Sequence, residues 1–144
     1  MHLRQKKKVY FKEKNKPTLI LMTRWHAIFR CKSRLSREIG ALKAARIQEK
    51  LTSHTIAVAK KIQSAGLADV KVAIDGIGIQ AAKRWALLNN IETVSIQGPG
   101  NLGTKMKRQF LKTYSEKNLS HQTRNPILLI GTDLPSISHL ELTQ

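Results

Sequence analysis

Apolar residues in this chain come in short blocks, and the period of each block distinguishes strand from helix. Thr18–Thr23 is continuously apolar and stops abruptly at Arg24, as a short strand buried on both faces does. From about Arg37 to Ala65 the period changes. Ile47, Leu51, Thr55, Val58 and Ile62 fall on one helical stripe, with Ser36 as the expected N-cap and Gly66 as the stop. Val70–Asp75 predicts a second strand, and a helix from about Ile79 to Asn89 follows with Trp85 and Leu88 expected inward. Thr93–Ile96 predicts a third strand. After the Gly-rich loop Gln97–Gly103, Thr104–Lys117 predicts a basic amphipathic helix carrying Met106, Phe110 and Tyr114. Pro126–Gly131 predicts a fourth strand, wholly apolar as a central strand is, Thr132–Pro135 a turn, and Ser136–Gln144 the start of another helix.

Strands alternating with helices predict an α/β fold: a mostly parallel sheet with helices on both faces and right-handed crossovers. Ligands of such sheets bind beyond the carboxyl ends of the strands. That rule selects four loops on topology alone: 24–36, 75–79, 97–103 and 132–136.

At 144 residues the chain has the size of one domain, with enough buried surface for one core. It divides into an appendage, the basic N-terminal arm 1–17, which holds few apolar residues and need not be ordered, and the domain 18–144. The single cysteine, Cys31, excludes a disulfide scaffold and fits a reducing, cytoplasmic location. Every uncharged apolar stretch is far shorter than the roughly 18 residues of a membrane-spanning helix.

The net charge of +17 alters the expected partners. Residues 1–17 hold seven cations and one anion, so the arm supplies only +6, and +11 remains on the domain itself. Such a chain attracts polyanions: phosphorylated small molecules, nucleic acid or anionic lipid. Four cations, Arg24, Arg30, Lys32 and Arg34, crowd the first strand-to-helix connection, where phosphate oxygens would also meet helix-start N–H groups.

Two glycine runs match a dinucleotide fingerprint, Gly98–Gly103 and Gly76–Ala81. Neither is followed by a strand ending in an acid at the expected distance of about 20 residues, so nicotinamide or flavin binding is disfavoured. Asp133 directly follows the wholly apolar fourth strand. It suits a divalent metal held beside phosphates, and it equally suits capping of the 136–144 helix. The five histidines show no metal-ligand spacing, and Trp25 and Trp85 are read as packing residues.

Three segments, in order, carry a resemblance. Leu19–Arg24 leads to Cys31-Lys32-Ser33-Arg34-Leu35; Gln97–Met106 opens a helix through Gly100-Asn101-Leu102-Gly103; Ile130–Pro135 ends the fourth strand. Together they resemble a bacterial glycosyltransferase-like family of the nucleotide-diphospho-sugar transferase superfamily. That family includes proteins linked to arsenosugar biosynthesis, and is similar at a distance to the guanylyltransferase that activates 2-phospholactate. The resemblance implies a Rossmann-like GT-A-type three-layer sandwich. It implies binding of a nucleotide sugar, or a nucleoside triphosphate, with Mg²⁺ or Mn²⁺, and transfer of the activated group. It places Thr23, Arg24, Lys32, Arg34, Gly100 and Asn101 around the nucleotide phosphates and Asp133 at the metal.

The match has departures. Ala27, Ile28 and Phe29 replace a Pro- and Gly-containing stretch, Asn101 replaces an aspartate, and no D-x-D pair is present. Domains of the family continue past the helix at 136–144 into a further strand and an Asp-Gly-Gly segment. The expectation is therefore a partial domain, inactive if the acceptor side is needed, with a sheet incomplete at its C-terminus and prone to self-association. No residue is assigned as general base. The competing expectation is a non-catalytic basic protein that binds nucleic acid or another polyanion.

Overall fold

The computed structural model describes residues 16–27, 32–117 and 125–132. Its elements, in chain order, are β1 (Thr18–Arg24), α1 (Ser33–Ile39), α2 (Ala41–Ser64), β2 (Asp69–Asp75), α3 (Ile79–Leu88), β3 (Val94–Ile96), α4 (Leu102–Lys117) and β4 (Ile127–Gly131). The strands form one parallel sheet in the order β3-β2-β1-β4. Stepping outward from β1, the chain reaches β2 and β3, then crosses back to place β4 on the other side of β1. The direction of winding reverses between β1 and β4, which makes that seam the switch point of the sheet.

The apolar run of β1 is continuous because both of its faces are covered. Leu19 and Leu21 meet Ile56, Ala59 and Ile62 of α2, with Trp85 of α3 packed alongside. Ile20 and Met22 point the other way, into a smaller cluster with Ala73, Met106 of α4, Ile127 and Leu129. This is the expected three-layer α/β sandwich. The wholly apolar β4, expected at the centre, stands at one edge of the described sheet, and Leu128 is 47% exposed there.

The expected single helix from Arg37 to Ala65 is two helices. Gly40, at φ 93° and ψ 152°, separates α1 from α2, a conformation in which a glycine avoids the Cβ clash any other residue would meet. Ser36 accordingly lies inside α1 and caps nothing. Gly66 does end α2, in a Schellman arrangement: its N–H reaches Gln63 O and the Leu67 N–H reaches Ile62 O. The stripe is rotated from the expected one. Thr55, Val58 and Ile62 are buried, but upstream the inner positions are Ala44, Ala45, Gln48 and Thr52, and Ile47 is at the surface. Leu88, expected inward on α3, is 83% exposed.

α4 meets the sheet through polar groups as much as apolar ones. Met106 packs inward and Phe110 is half-buried, whereas Tyr114 is exposed and the buried positions are Gln109 and Thr113. The Gln109 side chain lies against Ser95 at 3.0 Å and Ile96 O at 3.2 Å. Lys71 of β2 is only 3% exposed, with its Nζ 3.4 Å from Thr113 Oγ1 and 3.5 Å from the Glu116 carboxylate. Burial lowers the Lys71 pKa below its ordinary 10.5. The positive charge of Lys112 adds to that, and Glu116 opposes it.

Between the lowered folded pKa and 10.5 the unfolded chain binds more protons, so the contribution of Lys71 to stability rises with pH across that window. Lys71→Met removes the buried charge and leaves Glu116, whose side chain is half exposed, to solvent; exchanging buried ionic groups for well-packed apolar ones is commonly neutral or favourable by about 1–4 kcal/mol. The variant is expected to match or exceed the wild type at pH 7, by up to about 2 kcal/mol, with the margin shrinking toward pH 10.5. Urea unfolding of both proteins across that range checks it.

Candidate functional site

The carboxyl edge of the sheet opens into a cleft of about 470 Å³ lined by residues from every layer. Met22, Thr23 and Arg24 come from the end of β1, Asp75 from β2, and Gly131 and Thr132 from β4. Lys32 precedes α1, Gln48 lies on α2, and Gln97, Leu102 and Lys105 belong to the β3–α4 connection and the first turns of α4.

Buried hydroxyls and carboxamides build the floor. Thr132 Oγ1 donates to Thr23 Oγ1 at 3.0 Å, and the Thr23 and Thr52 hydroxyls share a hydrogen bond of 2.9 Å. From α2, Gln48 Nε2 donates to Arg24 O at 3.1 Å and Thr52 Oγ1 at 3.2 Å. Thr23 therefore ties β1 to β4 across the switch point and to α2 above it. From below, Gln97 Nε2 donates to Thr23 O at 2.8 Å and Ala73 O at 2.9 Å. Both partners are carbonyls, which only accept, so the carboxamide orientation is fixed by chemistry.

Cations dominate the rim. Lys105 Nζ meets Asp75 Oδ2 at 3.1 Å, and Arg24 approaches the same oxygen at 3.9 Å. Three cations, Arg24, Lys32 and Lys105, thus line the cleft together with one carboxylate, that of Asp75. Lys32 stands in the left-handed region at φ 47°, ψ 53°, one of two non-glycine residues with positive φ among the described residues. Such backbone is held only where surrounding structure over-determines it, and it concentrates at functional sites.

The glycine loop is organised by α4. Arg108 donates to Gln97 O and to Pro99 O, clamping the loop from below. Gly98 sits at φ 77°, and a Cβ there would come within 2.6 Å of the Arg108 guanidinium, so the clamp requires glycine. Asn101 Oδ1 accepts from Thr104 N at 2.9 Å, which makes Asn101 the N-cap of α4.

Of the residues singled out from sequence, Thr23, Arg24 and Lys32 come together in the cleft. Arg34 is exposed on α1 and outside the cleft lining. Gly100 and Asn101 shape the loop behind Leu102 rather than line the cleft, and the Asn101 side chain is occupied by its cap. Asp133, Cys31 and most of the 1–17 arm lie outside the described residues. Gln48, Asp75, Gln97, Lys105 and Thr132 were not singled out as site residues. For Asp75, Gln97 and Thr132 a signal existed, since each stands at or directly after the carboxyl end of a predicted strand, in a loop selected on topology.

Among the described residues no group of three or more His, Cys, Asp and Glu could hold a metal, and no helix is long and apolar enough to cross a membrane. A crystal structure from Desulfovibrio desulfuricans G20, described as a "putative nucleotide-diphospho-sugar transferase", superposes with a TM-score of 0.65 at 18% identity. The match covers 88% of this chain and 51% of that one, so the chain spans about half the length of this neighbour and shares its fold. No curated protein matches the chain. The sequence pattern described as "Uncharacterized protein conserved in bacteria" (DUF2064) extends over residues 57–144, from the second half of α2 to the last residue; the chain belongs to this glycosyltransferase-like family.

Proposed function

We propose that the chain binds the diphosphate of a nucleotide sugar, or of a nucleoside triphosphate, in the cleft at the carboxyl edge, as part of a transferase of the nucleotide-diphospho-sugar type. The observation that carries this reading is the convergence of Arg24, Lys32 and Lys105 on the switch point of a parallel sheet. Ligands of open α/β sheets bind there, and a diphosphate is the ligand class whose charge matches three cations beside a single carboxylate. The fold shared with the Desulfovibrio protein supports the transferase class.

A divalent cation, Mg²⁺ or Mn²⁺, belongs to the same proposal. The described donor set fits only an ion shared with substrate. Mg²⁺ in phosphate sites is held by one or two carboxylates, with phosphate oxygens and water completing the sphere, and Asp75 is the one described carboxylate in the cleft. Asp133, next along the chain from Thr132, is the second carboxylate proposed for it. When bound, such an ion supplies Lewis-acid stabilisation of the leaving diphosphate. The chain's own contribution is to neutralise phosphate charge through Arg24, Lys32 and Lys105 and to hold the strand ends rigid through Thr23, Thr132 and Gln97.

Calorimetric titration with UDP-glucose and GDP-mannose, with and without Mg²⁺, tests the reading. Saturable binding that weakens at least about tenfold in Arg24→Ala and Lys32→Ala is expected, each change removing a charge-assisted contact of about 1.5–3 kcal/mol. Loss of the Mg²⁺ dependence in Asp133→Asn is expected if that carboxylate meets the ion. An unchanged dependence reduces Asp133 to a cap, a role asparagine fills as well. Binding to any polyanion alike, falling steeply with salt and indifferent to the nucleotide, would instead favour the nucleic-acid reading.

A further inference from the structure

Immediately beyond Arg24 the chain builds an aromatic group for which the cleft chemistry described above has no use. The Trp25 and His26 rings lie 4.2 Å apart, centroid to centroid, with their planes 33° from parallel. Trp85 of α3 meets Trp25 edge-on at 5.9 Å and 90°. The backbone fixes Trp25 against β2, because its N–H donates to Asp75 O at 2.8 Å, and its Cβ lies 3.4 Å from where a side chain on Gly76 would begin. All three rings are half-buried: anchored on the core side, yet still reaching solvent. Trp85 belongs to the apolar cluster above the sheet, so Trp25 has a packing role through it. His26 stands outside that cluster and stacks on Trp25.

The position of this stack gives it significance. Trp25 and His26 directly follow Arg24 and sit beside Asp75, two residues that line the cationic cleft, although neither aromatic is itself part of the lining. A diphosphate held by Arg24, Lys32 and Lys105 has two ends. Of the two sides of the cleft, the one at β4 and the one at β2, Trp25 stands on that of β2. We infer that Trp25 and His26 form the nucleobase platform of this site, with the base stacked on the His26–Trp25 pair and its diphosphate on the three cations. This inference rests on the diphosphate reading of the cleft and deepens it. Stacking is tolerant of base identity, because every base offers a π-face. The platform is therefore expected to add affinity for any nucleoside diphosphate and to favour the larger purine ring over a pyrimidine.

The test compares GDP and UDP with inorganic pyrophosphate, which carries the charge and lacks the base. Stacking on an aromatic side chain contributes about 1–3 kcal/mol per base, a factor of about 5 to 150 in affinity. Calorimetry of the wild type is expected to give GDP tighter than UDP, and both at least about fivefold tighter than pyrophosphate. His26→Ala and Trp25→Leu are expected to bring the nucleotides down toward pyrophosphate while leaving pyrophosphate itself unchanged.

The two tryptophans supply an independent readout. In Trp85→Phe, with Trp25 as the sole indole, GDP is expected to quench the fluorescence; in Trp25→Phe the quenching is expected to be lost. Should Trp25→Leu fail to fold, His26→Ala and Trp25→Phe still decide the question, since neither removes the ring packed on Trp85. Unchanged nucleotide affinity in His26→Ala, together with quenching that persists in Trp25→Phe, overturns the platform and leaves the diphosphate site standing. A wild type that binds neither nucleotide nor pyrophosphate overturns both.

Discussion

Gln97→Leu is expected to lower stability by about 2–3 kcal/mol, the larger share of it from two carbonyls left facing an apolar side chain. The Gln97 amide is the only described side chain that bonds both Thr23 O and Ala73 O, and it is buried beneath the point where β1 and β2 end. Leucine is close in volume, so the loss is one of hydrogen bonding and not of packing. For a chain of this size the expected fall in melting temperature is about 5–10 °C. Gln97→Glu separates the hydrogen-bonding account from a volume effect. A carboxylate has nearly the same shape and only accepts, so at pH 7 it faces two acceptors and is expected to destabilise at least as much as leucine. Burial between two acceptors raises the folded pKa of this carboxyl above its ordinary value, and protonation restores one donor, so this variant alone is expected to recover part of the loss as pH falls from that raised value toward about 4.3. Thermal unfolding of the three proteins at pH 7 and pH 4.5 measures both effects; equal stability of wild type and Gln97→Leu would show that water replaces the amide.

That residue also marks the boundary of what could be read from the sequence. The four strands stood out because each is a short apolar block bounded by polar or turn residues, and their alternation with helices is enough to predict the parallel α/β sandwich. The helical details were less legible where the core itself is polar. α2 turns Gln48, Thr52 and Thr55 inward because it crosses the carboxyl edge, where its partners are the Thr23 hydroxyl and the Arg24 and Thr132 carbonyls. A stripe drawn through apolar residues therefore drifts toward Ile47, on the wrong side of the upper half. α4 shows the same effect, with Gln109 and Thr113 inside and Tyr114 outside.

The site divides along similar lines. Thr23 and Arg24 were legible because they end β1, and Lys32 because it lies in the cation-rich connection that follows, a position fixed by topology. Lys105 was not, since a lysine in the first turn of a basic helix looks like any solvated cation until its Asp75 partner across the sheet edge is known. Asn101 was ambiguous for a different reason. A glycine-turn residue next to a helix start suits a phosphate contact and an N-cap equally, and the cap is what the Thr104 N–H shows.

The cleft electrostatics give the second large effect, with opposite signs from two adjacent positions. Lys105→Ala removes one of three cations and leaves Asp75 answered only by Arg24 at 3.9 Å, so anion affinity falls twice over, through a lost attraction and a less compensated carboxylate. Asp75→Asn does the reverse: it keeps the side-chain shape, deletes the only described acid of the cleft, and frees Lys105 and Arg24 for the ligand. At an effective dielectric of about 20–40, a unit charge about 6 Å away is worth about 1.4–2.8 kcal/mol, or roughly a tenfold to hundredfold change before salt screening. Pyrophosphate is therefore expected to bind at least about tenfold more weakly to Lys105→Ala and several-fold more tightly to Asp75→Asn, both differences shrinking as ionic strength rises.

Nucleotide with Mg²⁺ adds the deciding contrast. If Asp75 also meets the cation or a ribose hydroxyl, Asp75→Asn gains affinity for bare pyrophosphate yet loses it for GDP with Mg²⁺, because the same carboxylate that repels phosphate attracts the ion. If Asp75 serves only to hold Lys105 in place, both ligands gain together. Calorimetry at two salt concentrations on the two variants resolves the alternatives. A wild-type affinity for pyrophosphate that neither substitution moves would place the anion site away from the β2 end of the cleft.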